Sequence, residues 1–380
     1  MEYVIQAYTG SYTGKSVHAP DGILRRVSSI MDMLPVKAVI IGWNTGAPLY
    51  PALIDEVHRR GKEIYIWLPV FSEMSAFPGG HPAIDYLGAP HARAVTGSDD
   101  SGEDFAFFCP SREQNADRVK RIFEDHFNAP GFDGVFLDKI RYSSFGNGFA
   151  PAIGCFCDSC RYVYQENGVD VEDLLSLLRE RRAMLFAPAA LTGMRYTYEH
   201  PLVDRFFRVR AGIVTKAVLS LTEWFKARGF AVGLDLFAPL FAYQVGQDIA
   251  ALSGKADFIK PMLYRVTDAP AGIPYESRRM REEFRAQGCE AGGVIERLWG
   301  VDGLCGESAL QAQTERLKQA FCPVYIGMEV NHMPGVCMTD KAYVTGTACA
   351  VAESGLGCAL SWDVLSDTRD HLQALADSNA

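Results

Sequence analysis

The 380-residue chain has no excess of basic charge: 37 Lys and Arg stand against 46 Asp and Glu, a net charge of −9. Broad nucleic-acid binding draws most of its affinity from neutralised phosphates, and it would find no basic face here. No run approaches the roughly 18 apolar residues that a membrane span needs. The opening MEYVIQAYTG has neither the basic segment nor the apolar core of a secretory leader. No GxGxxG, and no GxxxxGK followed by Ser or Thr, comes after any apolar run, so the nucleotide-binding signatures are missing. The 8 histidines form no HxH or HExxH. An open His/carboxylate metal site, as in a metal-dependent deacetylase, therefore has the weakest support. Internal repeats and low-complexity stretches are also lacking. These absences leave a cytoplasmic globular protein with no nucleic-acid or membrane partner; a neutral, sugar-like ligand and a homo-oligomer both stay open.

What the chain does contain is a regular alternation of short β-rich apolar runs with helical stretches. Eight runs read as strands, at 2–8, 37–44, 63–70, 132–138, 230–237, 256–264, 323–330 and 357–363. Several are apolar on both faces, as strands sandwiched between a core and a helical layer must be. Helices are expected at 46–61, 111–127 (with Ser111 as its cap), 203–229, 276–288, 307–321, 341–355 and 368–378. Eight βα units predict an α/β fold, a (β/α)8 TIM barrel, filling one catalytic domain over 1–380. Two connections are long, 71–110 and 139–202. Long loops at the C-terminal ends of barrel strands usually build the site.

Four of the 10 cysteines fall into a pattern. GCFCDSCR supplies Cys155, Cys157 and Cys160, and Cys109 in FFCPSR, just before a helix, is the natural fourth ligand. Four thiolates close a tetrahedral Zn²⁺ site, which makes the zinc structural and pins the two long loops together. The insertion at about 139–200 is then a zinc-binding loop. The alternative is a set of free or disulfide-linked thiols.

A lone upstream Cys followed by CxCxxC after the fourth strand resembles the zinc cluster of glycoside hydrolase family 42 β-galactosidases. That family carries an Asn-Glu acid/base pair after strand four, where this chain has FLDKIRY. The chain also resembles a broad group of glycosyl-hydrolase-like (β/α)8 barrels, through DGVFLDKIRY on strand four, LDLFAP on strand five, DFIKPMLYR on strand six and LSWD on strand eight. The resemblance implies a barrel that hydrolyses glycosidic bonds, with a carbohydrate as substrate; a carbohydrate-binding barrel without turnover is the alternative.

Glycoside cleavage takes two carboxyl groups flanking one bond, about 5–5.5 Å apart for retention. Asp138, Asp235, Glu329 and Asp363 all lie at or near strand ends. Asp138 is the expected nucleophile of a retaining reaction. Arg141, three residues on, is placed to hold it ionised or to pair with it structurally. Glu329, beside Met328, Val330 and Met333, is the favoured acid/base, and Asp235 is its rival. Lys260 and Tyr264 on strand six are candidates for substrate contacts. A salt bridge of Lys260 with Asp138 or Asp235 is as good a reading, because a lone Lys on an apolar strand is costly. Trp43 and Trp362 are expected to stack on sugar faces, whereas Trp67 reads more as core. Asn44, Asn331, His332 and Asp363 are candidate hydroxyl contacts, with Tyr8 and Tyr142 as further liners.

Overall fold

The structure is a computed structural model that describes residues 1–380 except 15, 17, 92–104, 130, 181, 367–368 and 380. Part of the connection expected over 71–110 thus lies outside the described residues. Eight strands close into a barrel: β1 (Tyr3–Tyr8), β2 (Val36–Gly42), β3 (Glu63–Pro69), β4 (Gly134–Asp138), β5 (Ala231–Phe237), β6 (Phe258–Met262), β7 (Tyr325–Glu329) and β8 (Gly357–Ser361). Every neighbouring pair is parallel, and β1 closes the ring by pairing with both β2 and β8. All eight expected strands are present. Val39, Ile40 and Ile41 in β2 are all fully buried, because inward side chains meet the barrel core and outward ones meet helices.

The helical layer includes α1 (Pro20–Met33), α2 (Tyr50–Arg59), α3 (Glu113–His126), α4 (Pro201–Lys226), α5 (Ile249–Ser253), α6 (Glu307–Leu317), α7 (Lys341–Ser354) and α8 (Arg369–Asn379), together with the helix Ile273–Ala286 where one is expected at 276–288. Of these labelled helices sequence reading missed α1 and α5; it also missed the short helix Val294–Trp299 and the helices inside the connection at 139–202. In α1 the buried stripe is thin, only Ile23, Val27 and Ile30, although Pro20 in the first turn and Asp21 beside it are ordinary start signals. α5 is a five-residue helix with too few turns to show a period. The expected cap of α3 is also corrected. Its N-cap is Arg112, and the Ser111 hydroxyl instead lies 3.0 Å from the Cys109 sulfur. Between β4 and α4 the chain forms the helices Phe149–Ile153, Asp158–Glu166 and Val171–Arg179 and a small hairpin, Ala190–Thr192 with Arg195–Thr197.

An aromatic plug fills the barrel below the site. The Phe258 ring centroid lies 5.1 Å from Tyr65, 5.9 Å from Phe136 and 5.7 Å from Tyr325. Gly233 makes room for it, since a Cβ there would stand 2.2 Å from the ring. This plug is the floor on which the polar layer above rests. Overpacking a filled core costs about 1–3 kcal/mol. Gly233→Ala should lower unfolding free energy by that order, read from chemical denaturation with the midpoint and slope fitted separately.

Candidate active site

The C-terminal strand ends open into a cleft of about 330 Å³. Seven of the expected residues line it: Asp138, Arg141, Asp235, Tyr264, Trp362, Asp363 and Tyr8. The barrel register explains why the first and third of these meet. Leu137 of β4 pairs with Leu234 of β5, so Asp138 and Asp235 are the next pair along. Adjacent strands run about 4.8 Å apart, and residues in register face the same side.

Asp138 is held by two N–H donors. The Trp67 indole donates to Oδ2 at 2.9 Å, and the Lys139 backbone N–H donates to Oδ1. Lys139 sits at φ 51°, in the left-handed region that side-chain-bearing residues seldom adopt. That turn follows directly on the strand and brings its N–H back onto the carboxyl group. The Lys139 ammonium is in turn paired with Glu73, itself at φ 63°. Two such residues in contact at a cleft fit the tendency of strained backbone to gather at functional sites.

Asp235 is 2% exposed. Its Oδ2 lies 3.0 Å from the Lys260 ammonium, while Oδ1 has no hydrogen-bond partner among the described residues. Burial pushes its carboxyl up to about 8; Lys260 opposes the rise and the charge of Asp138 adds to it. A group in this state holds a proton near neutral pH and can still release it. Asp363 is also buried, and its Oδ1 accepts the Tyr8 N–H at 3.1 Å and the Leu365 N–H at 3.0 Å. Burial raises it to about 6, partly offset by those two donors.

Arg141 is sandwiched between Phe107 and Phe237, at 4.4 and 4.1 Å from the ring centroids. Its Nη1 donates to the Tyr142 carbonyl at 2.9 Å. Burial lowers it to about 10, against the opposing charges of Glu276, Asp138 and Asp235. It therefore stays cationic at neutral pH and acts on both aspartates through its charge.

The other expected site residues lie outside the cleft lining. Glu329 is fully buried. Its Oε1 accepts the Val266 N–H at 2.6 Å, and burial raises its carboxyl. It anchors the segment carrying Thr267, one of the cleft residues, from behind. Lys260 has no exposure and lies beneath Asp235, which is the salt-bridge reading of that residue. Trp43 is fully buried between Tyr8 and Trp67, at 4.8 and 4.6 Å. Trp67, which reads as core from sequence, is the indole that reaches the cleft; the two tryptophans exchange roles. Asn44 ties the loop after β2 to the loop after β1, donating to the carbonyls of Ser11 and Gly14. Asn331 brackets the chain after β8, donating to the Asp363 carbonyl at 2.8 Å and accepting the Trp362 N–H at 3.0 Å. His332 sits in the His332–Met333/Cys337–Met338 hairpin, with Nδ1 2.8 Å from the Thr339 carbonyl. Tyr8 lines the cleft, whereas Tyr142 lies behind it, 3.7 Å from the Cys160 sulfur.

Sequence reading also missed Gln6, Lys139, Phe105 and Phe237 in the lining. Gln6 and Phe237 share the inward parity of their strands with Tyr8 and Asp235, a signal that was present. Phe105 comes from a loop, where no periodicity applies.

Cys109, Cys155, Cys157 and Cys160 converge, with their sulfurs all within 4.8 Å of one another. Cys109 lies 3.5 Å from Cys157 and 3.4 Å from Cys160. A tetrahedron with metal–sulfur bonds of about 2.3 Å has edges of roughly 3.8 Å, so the four thiols fit one metal ion. The Ile84 N–H donates to Cys155 at 3.3 Å, the kind of outer contact that orients a thiolate. The cluster joins the loop after β3 to the loop after β4.

No protein-family model matches the chain, and no curated protein matches it. In fold the chain is similar to the glycoside hydrolase domain of PgaB (BpsB) from Bordetella bronchiseptica, with a TM-score of 0.60 and 14% identity over 99% of this chain and 98% of that one. It is also similar to a class V chitinase from Pseudomonas fluorescens Pf-5, with a TM-score of 0.50 and 12% identity over 100% and 99%. At these identities the likeness establishes the (β/α)8 fold.

The Asp235 carboxyl has a testable linkage. Its proton affinity is higher folded than unfolded, so its stabilising contribution is complete below the ordinary carboxylate range and is lost as pH rises through about 8. In urea melts between pH 5 and 8, the wild type should lose stability with pH relative to Asp235→Asn. A stability difference that stays flat with pH would contradict the burial argument.

Proposed function

We propose that this chain is a glycoside hydrolase in which Asp138 is the nucleophile and Asp235 the acid/base. The observation that carries the reading is the pair itself. Two carboxyl groups stand side by side on β4 and β5 at the floor of an open cleft, one fixed by N–H donors and the other buried and proton-holding. Such a split of roles is what glycoside cleavage requires. The short spacing of adjacent strands favours retention over inversion, which needs room for a water between the groups.

In the first step an Asp138 oxygen attacks the anomeric carbon as the Asp235 proton passes to the departing glycosidic oxygen. In the second, Asp235, now a carboxylate, takes a proton from water. The resulting hydroxide equivalent displaces Asp138 from the sugar. Arg141 supplies a fixed positive charge beside both carboxyls. Trp362, partly exposed at the end of β8, offers an apolar face for a sugar ring, and Asp363 and Tyr264 offer hydroxyl contacts. Support for the class comes from the fold shared with the two hydrolases above and from the strand motifs. Glu329 is set aside as the acid/base because its carboxyl is engaged behind the wall.

The four cysteines are proposed to hold a structural zinc, in keeping with the likeness of their spacing to the family 42 cluster. A closed thiolate site contributes its binding energy to folding. Phe105 and Phe107 precede Cys109 by a few residues and pack on Lys139 and Arg141. The metal would thereby steady both cleft walls. Ten thiols without a disulfide suit a reducing, cytoplasmic setting. Among the described residues, no helix is long and apolar enough to cross a membrane.

On a panel of aryl glycosides and oligosaccharides, Asp138→Asn should cut kcat on the order of 10³-fold or more, with the circular dichroism spectrum unchanged. Near-wild-type turnover would remove Asp138 from the mechanism. Metal analysis should return one zinc per chain, and Cys157→Ser should bring it well below one and lower Tm. A variant that loses its metal without loss of Tm would contradict the clamp.

A further inference from the structure

Lys260 touches the catalytic acid from below, and its surroundings are built for it. It has no solvent exposure. Its ammonium donates to Gln6 Oε1 of β1 at 2.7 Å, to the Tyr264 hydroxyl at 3.0 Å and to Ser361 Oγ of β8 at 3.3 Å, and it lies 3.0 Å from Asp235 Oδ2 of β5. Four acceptors, from β1, β5, β8 and the continuation of β6, thus share three N–H protons. The aliphatic stem lies along Gly327 of β7, where a Cβ would stand 3.4 Å from Cε. The Phe136 ring of the aromatic plug closes the site from beneath, 5.5 Å from the ammonium.

A lysine kept only to fill the barrel would be replaced at lower cost by an apolar side chain, since burying an ammonium costs several kcal/mol before any pairing. Three of its four partners are neutral. They hold the ammonium in place without discharging it, so its charge is left to act on the single carboxylic acid it touches. We infer that Lys260 is a positioning residue whose fixed charge governs how firmly Asp235 holds its proton, and so sets the pH at which the acid/base can work. The inference rests on the reading of Asp235 as acid/base.

The charged and titratable groups around Asp235 are few. Asp138 faces it from β4 and Arg141 from the loop after β4. Lys260 and Tyr264 face it from β6 and its continuation. The contacts from β1 and β8, Gln6 and Ser361, carry no charge. Burial and Asp138 drive the acid toward its protonated form, and Lys260 with Arg141 drives it back. Because Lys260 is sealed from water, its charge is screened far less than a surface charge would be.

The test is the pH dependence of kcat/KM on whichever glycoside the wild type turns over. The basic limb of the wild type reports loss of the Asp235 proton. In Lys260→Gln, checked for folding by circular dichroism, that limb should move up by about one pH unit or more. Gln6→Glu opens no cavity and gives the ammonium a competing carboxylate, so it should move the limb the same way and decides the matter if Lys260→Gln does not fold. A limb that stays in place in the variants that fold would overturn the inference and leave Lys260 a structural residue. If the wild type cleaves no glycoside, the reading of the site fails first. The carbon-13 carboxyl titration of Asp235, assigned with Asp235→Asn, then tests the lysine alone: an upward shift in either variant supports it, and an unmoved titration overturns it.

Discussion

Burying Asp235 and Lys260 together takes two ionisable groups out of water, at a cost of several kcal/mol per ion before their attraction is counted. The molecule offsets that cost locally. Gln6 and Ser361 from two other strands and Tyr264 from the continuation of β6 satisfy the ammonium, and the Phe136 ring of the aromatic plug lies 5.5 Å from it. The carboxyl meets the same burial by holding its proton. The polar layer at the mouth of the barrel follows from this arrangement. Asp138 stands next in register, Arg141 shares the cleft lining with both acids and acts on them through its charge, and the cleft opens above them.

Around that layer the walls are held from behind. Glu329 and Glu276 are buried glutamates that accept backbone N–H groups of the loop after β6, at Val266 and Ala271. On the opposite side Glu73 ties Lys139, and the cysteine cluster joins the loops after β3 and β4. The consequence is a cleft whose floor belongs to rigid strands and whose walls are loops fixed by buried polar contacts, the division that loop-built active sites on barrels generally show.

The barrel was legible in the sequence because strands buried on both faces leave continuous apolar runs, and all eight were readable. α1 and α5 were not, one because its buried stripe is thin and the other because it is short. The acids at strand ends were legible as a set, since strand parity places them at one mouth. Which of them share the cleft was not, because the loops that cover a strand end decide it, as the loop after β6 does by donating the Val266 N–H to Glu329, the last residue of β7. Glu329 and Asp235 read alike in sequence, yet one is engaged by the Val266 N–H and the other faces the opening. Trp43 and Trp67 likewise differ only in which indole reaches the carboxyl. The cysteine set was readable from spacing alone, because three ligands within six residues leave few other arrangements.

The account turns on Asp138 forming a bond to sugar while Asp235 manages the proton. The most direct measurement is intact-protein and peptide mass spectrometry of Asp235→Asn mixed with a glycoside bearing an activated leaving group, which needs no acid for the first step but stalls at the second. The account predicts that a glycosyl adduct accumulates and maps to the peptide containing Asp138. An adduct on another residue, or turnover with no adduct and an inverted product, would contradict it.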